Sequence, residues 1–278
     1  MKYVFFGTPR FAAEILGRLI EKNLLPQTVV CNPDQPVGRK KIITPPPVKQ
    51  LIISRKTPIE IIQLTDLHAI RDRLLAMNPD FFIVAAYAKI LPREIITLPR
   101  LHTIGVHPSL LPKYRGPTPI QSAILSGEPK TGVTLFLMDE KVDHGPIIAN
   151  RTVQIANRNY KELEKELSES AAQLLVETLP KFLASALTPL TQDENLATYT
   201  RKLTLADAYI DSRELARAQT QGGVIAVKIE RSIRALNPEP GTWTKLDGKR
   251  LKILAAEIRA GKLKLKTTQY ESKKPVNV

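Results

Sequence analysis

Two stretches of this sequence concentrate residues that could do chemistry. The first is Gly105-Val106-His107-Pro108-Ser109-Leu110-Leu111-Pro112-Lys113-Tyr114-Arg115-Gly116-Pro117-Thr118-Pro119-Ile120, and it carries a single histidine. The second, Met138-Asp139-Glu140-Lys141-Val142-Asp143-His144-Gly145-Pro146-Ile147, brings Asp143 close to a glycine. A histidine with a carboxylate beside it can act as a general base, because the acid orients the ring and stabilises its charged form. A lone loop histidine is more often structural than catalytic, so spacing alone leaves both roles open for His107. Prolines at 108, 112, 117 and 119 exclude a continuous helix or a central strand. A rigid loop of this kind suits a shaped binding site.

Other chemistries find no support. Four histidines and one cysteine form no zinc spacing, so no metal is expected. Gly7-Thr8-Pro9 lacks two of the three glycines of a dinucleotide fingerprint, and no G-x-x-x-x-G-K occurs. NAD and P-loop use of ATP are therefore not expected. Cys31 lies in the apolar run Thr28-Val29-Val30-Cys31 and reads as a buried thiol. A single cysteine allows no intramolecular disulfide, which fits a reducing cytosol.

The elements that must position these residues alternate between two periods. Tyr3 to Phe6, Gln27 to Cys31, Ile59 to Ile62 and Phe81 to Ala86 are short apolar runs. Between them, Phe11 to Glu21 and His68 to Met77 carry helical spacing. Continuous apolar strands between helices predict a mostly parallel α/β sheet covered on both faces. Ligands of such sheets bind beyond the carboxyl ends of the strands. Gly7-Thr8-Pro9 and Tyr87 to Pro92 follow strands and are expected near the site. Farther on, Tyr160 to Ala186 predicts a long helix, kinked or divided at Pro180.

Residues 1–187 are expected to form one domain, 188–204 a polar linker, and 205–278 a small C-terminal domain. Its runs Thr242 to Thr244, Leu251 to Ala255 and Lys262 to Thr268 are β-like, and an OB-like barrel would accommodate them. The alternation Lys262-Leu263-Lys264-Leu265-Lys266 gives a strand one wet, cationic face, which also protects an edge from mispairing. The whole chain carries a formal +14. Residues 205–278 hold 15 Lys and Arg against 8 Asp and Glu, a net +7. Such a surface attracts polyanions, with nucleic acid foremost. No basic-then-apolar leader precedes Tyr3, and no apolar stretch of about 18 residues occurs, so a soluble, cytoplasmic chain is expected.

Taken together, the motifs resemble those of the folate-dependent formyltransferases, and among them the enzymes that act on methionyl-tRNA. The likeness runs over nearly the whole chain and in order. It begins at Gly7-Thr8-Pro9 with Phe11, then Pro33-Asp34-Gln35-Pro36-Val37-Gly38-Arg39 and Thr44 to Lys49. It continues through Ala86 to Pro92, His107 with Ser109 to Pro112, Arg115-Gly116, and Asp143 with Gly145. It ends on Ala197-Thr198-Tyr199, Ile233 to Pro238 with Gly241 and Trp243, and Gln269 to Pro275, where Ser272 stands for a glycine.

The resemblance implies a Rossmann-like catalytic domain and a C-terminal OB-like domain that contacts tRNA. It implies formyl transfer from 10-formyltetrahydrofolate to the α-amino group of methionine on initiator tRNA, by a monomer without metal. It makes His107 and Asp143 the catalytic pair. Ser109, Leu110, Leu111, Pro112, Tyr87, Ala88, Ile90 and Leu91 would form the folate site. Arg39, Lys40, Lys41 and Lys49 would contact tRNA phosphates, for which well-placed cations suffice.

Two departures qualify the likeness. Gly105 stands where the family has its catalytic Asn, and losing one oxyanion donor typically costs about 100- to 1000-fold in turnover. The C-terminal domain is also short between Ile258 and Leu263. An amino-sugar formyltransferase, a hydrolase of the formyl donor, and a weakly active or non-catalytic folate- or tRNA-binding relative are the alternatives.

Overall fold

In chain order the elements are β1 (Tyr3–Gly7), α1 (Arg10–Glu21), β2 (Thr28–Cys31), β3 (Gln35–Val37), β4 (Ile42–Thr44), α2 (Pro47–Ser54) and β5 (Glu60–Gln63). A 3-10 turn (His68–Ile70), α3 (Arg71–Ala76), β6 (Phe81–Ala85), α4 (Arg93–Ile96), β7 (His102–His107), α5 (Pro119–Ser126), β8 (Lys130–Leu137) and β9 (Ile147–Gln154) follow. The remainder is α6 (Tyr160–Leu183), a 3-10 turn (Glu194–Leu196), α7 (Ser212–Thr220), α8 (Val224–Leu236), β10 (Trp243–Leu246), β11 (Lys249–Arg259), β12 (Lys262–Tyr270) and β13 (Val276–Asn277). This computed structural model describes residues 1–38, 40–63, 68–271 and 273–278, and of His68 only the backbone.

A seven-stranded sheet runs in the order β5-β2-β1-β6-β7-β8-β9. Its first five strands pair in parallel, and β7 pairs with β8 antiparallel. The unbroken apolar strands explain this, since β1, β2 and β6 are buried along their whole length. α1 buries Phe11, Ile15, Leu16 and Leu19, the stripe that the 3.6-residue period predicts. On one side of the sheet Phe6, Val30, Ile62, Leu74, Phe82 and Ile95 form a core. Each such side chain, fully buried, stabilises the fold by about 1.5–3 kcal/mol.

Two compact units form. One comprises Met1–Arg115, Gly132–Val153 and Glu164–Thr198; the other Gly116–Thr131, Gln154–Leu163 and Tyr199–Val278. In the second unit α7 and α8 pack Leu215, Ala218, Ile229 and Ile233 against Ile253 and Leu263. The small β element there is an antiparallel sheet in the order β10-β11-β12-β13. Its alternating lysines behave as their spacing predicts: Leu263 is buried while Lys262, Lys264 and Lys266 are exposed.

One sequence expectation needs correction. α6 is not divided at Pro180; it runs on to Leu183. Pro180 sits in the last turn, where the absent N–H removes a single backbone bond and Leu174, Leu175 and Leu179 stay buried. Most of 188–204 is exposed, but the stretch is tied down: Leu190 bridges Ile147, and Gln192 is only 6% exposed.

Candidate active site

The site grows from the end of β7. Gly105 and His107 are two residues apart on that strand and so share a face. Across from them on β8 stand Phe136 and Thr134, in register with Gly105 and His107 respectively. His107 is buried, with Nδ1 3.4 Å from Asp143 Oδ2 and Nε2 donating to the Tyr114 carbonyl at 2.9 Å. Each ring nitrogen therefore faces an oxygen acceptor.

The proline-rich loop is held by its own polar groups. Ser109 Oγ donates to the Lys113 carbonyl at 2.6 Å, and Thr134 Oγ1 donates to the Ser109 carbonyl at 2.7 Å. Thr134 Oγ1 also accepts from the Leu111 amide at 3.1 Å. Sequence reasoning passed over Thr134, because only the β7–β8 register brings it under the loop.

The missing Asn has a structural explanation. A Cβ built on Gly105 would lie 2.4 Å from two ring atoms of Phe136. The aromatic ring fills the volume that a side chain at 105 would need, so this position is closed to Asn while Phe136 stays.

Asp143 is fixed from a distance. Its φ is +49°, a left-handed conformation that L-residues seldom adopt. Gln192 Nε2 donates to the carbonyls of Asp143 at 2.9 Å and Gly145 at 2.8 Å. Gln192 Oε1 in turn accepts from Arg115 Nε and Nη2 at 3.2 and 2.9 Å. Arg115 is 0% exposed, and its guanidinium also donates to both oxygens of Glu194 at 3.0 and 2.6 Å. That charge-assisted pair holds the Glu194 carboxyl below the usual carboxylate range. A Cβ on Gly145 would fall 1.8 Å from the Leu137 carbonyl, so only glycine fits there.

A second polar cluster lies at the carboxyl ends of β2 and β5. Lys49 Nζ donates to both Asp34 oxygens at 2.9 Å and to Gln63 Oε1 at 2.7 Å, and Gln63 Nε2 donates to the Asn32 carbonyl. Thr8 Oγ1 accepts from the Asn32 amide. Among the described residues, Asn32 Oδ1 and Tyr87 Oη are buried without a hydrogen-bond partner. Burial pushes the Tyr87 hydroxyl up to about 12, so it stays protonated.

The formyl transferase family model matches residues 1–179, and the model of the formyl transferase C-terminal domain matches 225–278. The methionyl-tRNA formyltransferase of Halalkalibacterium halodurans is 40% identical over 260 residues, covering 92% of this chain and 78% of that protein. That of Caldicellulosiruptor saccharolyticus is 42% identical over 266 residues, covering 93% and 80%. The chain belongs to the methionyl-tRNA formyltransferase family. Solved structures agree in fold. A methionyl-tRNA formyltransferase from Clostridium thermocellum superposes with a TM-score of 0.60 at 17% identity over 97% of this chain and 98% of that one. HypX from Aquifex aeolicus in complex with tetrahydrofolic acid gives 0.67 at 18% identity, over 100% and 46%.

In this family member the residues expected at the folate site divide by environment. Ser109, Leu111 and Leu91 are interior, whereas Tyr87, Leu110 and Pro112 are half-buried and Ala88 is exposed. Ile90 is 81% exposed. Of the residues expected to meet tRNA, Lys40 and Lys41 are exposed between β3 and β4. Arg39 lies outside the described residues. Lys49 is half-buried, with its ammonium donating to Asp34 and Gln63.

Proposed function

We propose that this protein transfers the formyl group of 10-formyltetrahydrofolate to the α-amino group of methionine on initiator tRNA. The observation that carries the reading is the His107–Asp143 pair, set at the end of a sheet strand in a chain about 40% identical to methionyl-tRNA formyltransferases. The residues present fit a folate. Ile90, Leu110 and Pro112 offer apolar surface, and the unpartnered Tyr87 hydroxyl can meet a polar heteroatom. When bound, the folate supplies the formyl carbon.

The residues then have separable tasks. Rotation of the His107 ring away from the Tyr114 carbonyl frees Nε2–H for the formyl oxygen, where negative charge develops. Asp143 keeps Nδ1 and stabilises the charged ring. The bond formed joins the amine nitrogen to the formyl carbon, and the bond broken joins that carbon to the folate nitrogen. As that bond breaks, Nε2 of the charged ring gives its proton to the leaving nitrogen and then takes the proton shed by the attacking nitrogen, so the ring ends as it began. Ser109, Leu111 and Leu91 shape the site from within.

Lys40 and Lys41, with Arg39, contact the phosphates of the acceptor arm. Lys49 anchors the base of that hairpin through Asp34. The protein acts as a monomer in the cytoplasm, where its two substrates meet, and equilibrium sedimentation checks the monomer. The deciding assay offers labelled formyl donor with charged initiator tRNA and, separately, with a nucleotide-linked amino sugar. Transfer to tRNA is expected; label appearing in the sugar alone would sink the reading.

A further inference from the structure

One cluster of titratable side chains beside the catalytic loop has no task in the scheme above. His144 lies between two carboxylates. Its Nδ1 is 2.6 Å from Asp139 Oδ2, and its Nε2 is 3.5 Å from Glu194 Oε1. Glu194 is held by Arg115, the same side chain that binds Gln192. Gln192 grips the backbone carbonyls at 143 and 145. The peptide unit before His144 and the one after Gly145 are therefore held by one group, and the His144 ring by two more.

The chain needs this at Asp143, whose left-handed φ has no glycine to ease it. The direction of the Asp143 carboxylate follows from that torsion. The backbone at 143 is restrained as long as residue 144 stays fixed. An imidazole suits the task because its two nitrogens point in different directions and can each meet a carboxylate.

We propose that His144 is a positioning residue for catalysis: by bridging Asp139 and Glu194 it holds Asp143 in line with His107. This inference rests on the reading of His107 and Asp143 as the working pair. It assigns His144 no contact with substrate, so its removal lowers turnover and leaves substrate affinities in place.

The test is steady-state formyl transfer by the full-length protein to charged initiator tRNA, with the His144→Ala, His144→Gln, Asp139→Asn and Asp143→Asn variants. His144→Ala is expected to lower kcat about tenfold with both KM values within about twofold, as loss of an orienting partner typically does. His144→Gln, which keeps a donor, recovers most of the loss. Asp139→Asn lowers kcat about threefold, and adds little when combined with His144→Ala, since the two act through one contact. An unchanged kcat in His144→Ala overturns the proposal. So does a change confined to KM, or a loss that tracks a lowered Tm and is not recovered by Gln. If Asp143→Asn keeps full kcat, the working pair itself is misassigned. If Asp143→Asn is crippled while His144→Ala is normal, only the role of His144 fails.

Discussion

The loop around His107 and the hairpin of β3 and β4 make opposite use of polar groups. Around His107 the chain binds its own polar atoms: Ser109 to Lys113, Thr134 to Ser109 and Leu111, Gln192 to Asp143 and Gly145. On the hairpin, Val37, Lys40, Lys41, Ile42 and Ile43 all face solvent, and the polar anchoring is gathered at its base in Lys49, Asp34 and Gln63. The contrast follows from the tasks. Reacting atoms need groups fixed to fractions of an ångström. A polyanion needs cations that reach outward, and it tolerates variation in their placement.

That comparison can be broken at several points, the largest effect first. His107→Ala is expected to reduce kcat about 100- to 10,000-fold, the range for loss of a general acid–base group, and Asp143→Asn somewhat less. Stopped assays with saturating substrates check this, and normal rates would remove the site from β7. Next in size is Gly105→Asn. It should destabilise the fold by about 1–3 kcal/mol through overpacking, and adding Phe136→Leu should restore most of that. Urea unfolding of the single and double variants decides the point; a Gly105→Asn single variant of full stability would mean that Phe136 yields freely.

On the hairpin, Arg39→Ala or Lys40→Ala should raise KM for tRNA a few-fold and leave KM for folate unchanged. Each should also lower the salt dependence of tRNA binding by about 0.7–0.9 per charge removed. An equal rise in both KM values would tie the hairpin to the folate instead. The smallest effect concerns Cys31. Burial, with Asp34 adding and Lys49 opposing, pushes its thiol up from 9.0 to about 11. A raised value disfavours the thiolate in the folded state, so stability is full below about pH 9 and declines as pH rises through 11. Iodoacetamide at pH 8 should label Cys31 only after unfolding, and rapid labelling of the native protein would contradict its burial.

The parallel sheet was legible because strands buried on both faces leave unbroken apolar runs, as Tyr3 to Phe6 and Phe81 to Ala85 do. His107 and Asp143 were legible through their motifs rather than through spacing, which said little across 35 intervening positions. Gln192 and Glu194 were not. In sequence they sit in a polar, turn-rich stretch that reads as solvent-facing, and their partner Arg115 lies 77 and 79 residues away. Polarity in a loop does not reveal whether water or a buried guanidinium satisfies it. The pairing of Lys49 was hidden for the same reason, since a lysine after three prolines shows its charge but not the carboxylate beside it. Phe136 could be matched to Gly105 only once the antiparallel register of β7 and β8 was known.

The facing of Gly105 and Phe136 also imposes a direction on change. A larger residue at 105 crowds the ring at 136, whereas a smaller residue at 136 leaves only a void. An amide on this strand is therefore best accommodated beside a smaller ring-side residue. The two positions are coupled, and screening position 105 by itself would report a penalty that the pair does not have.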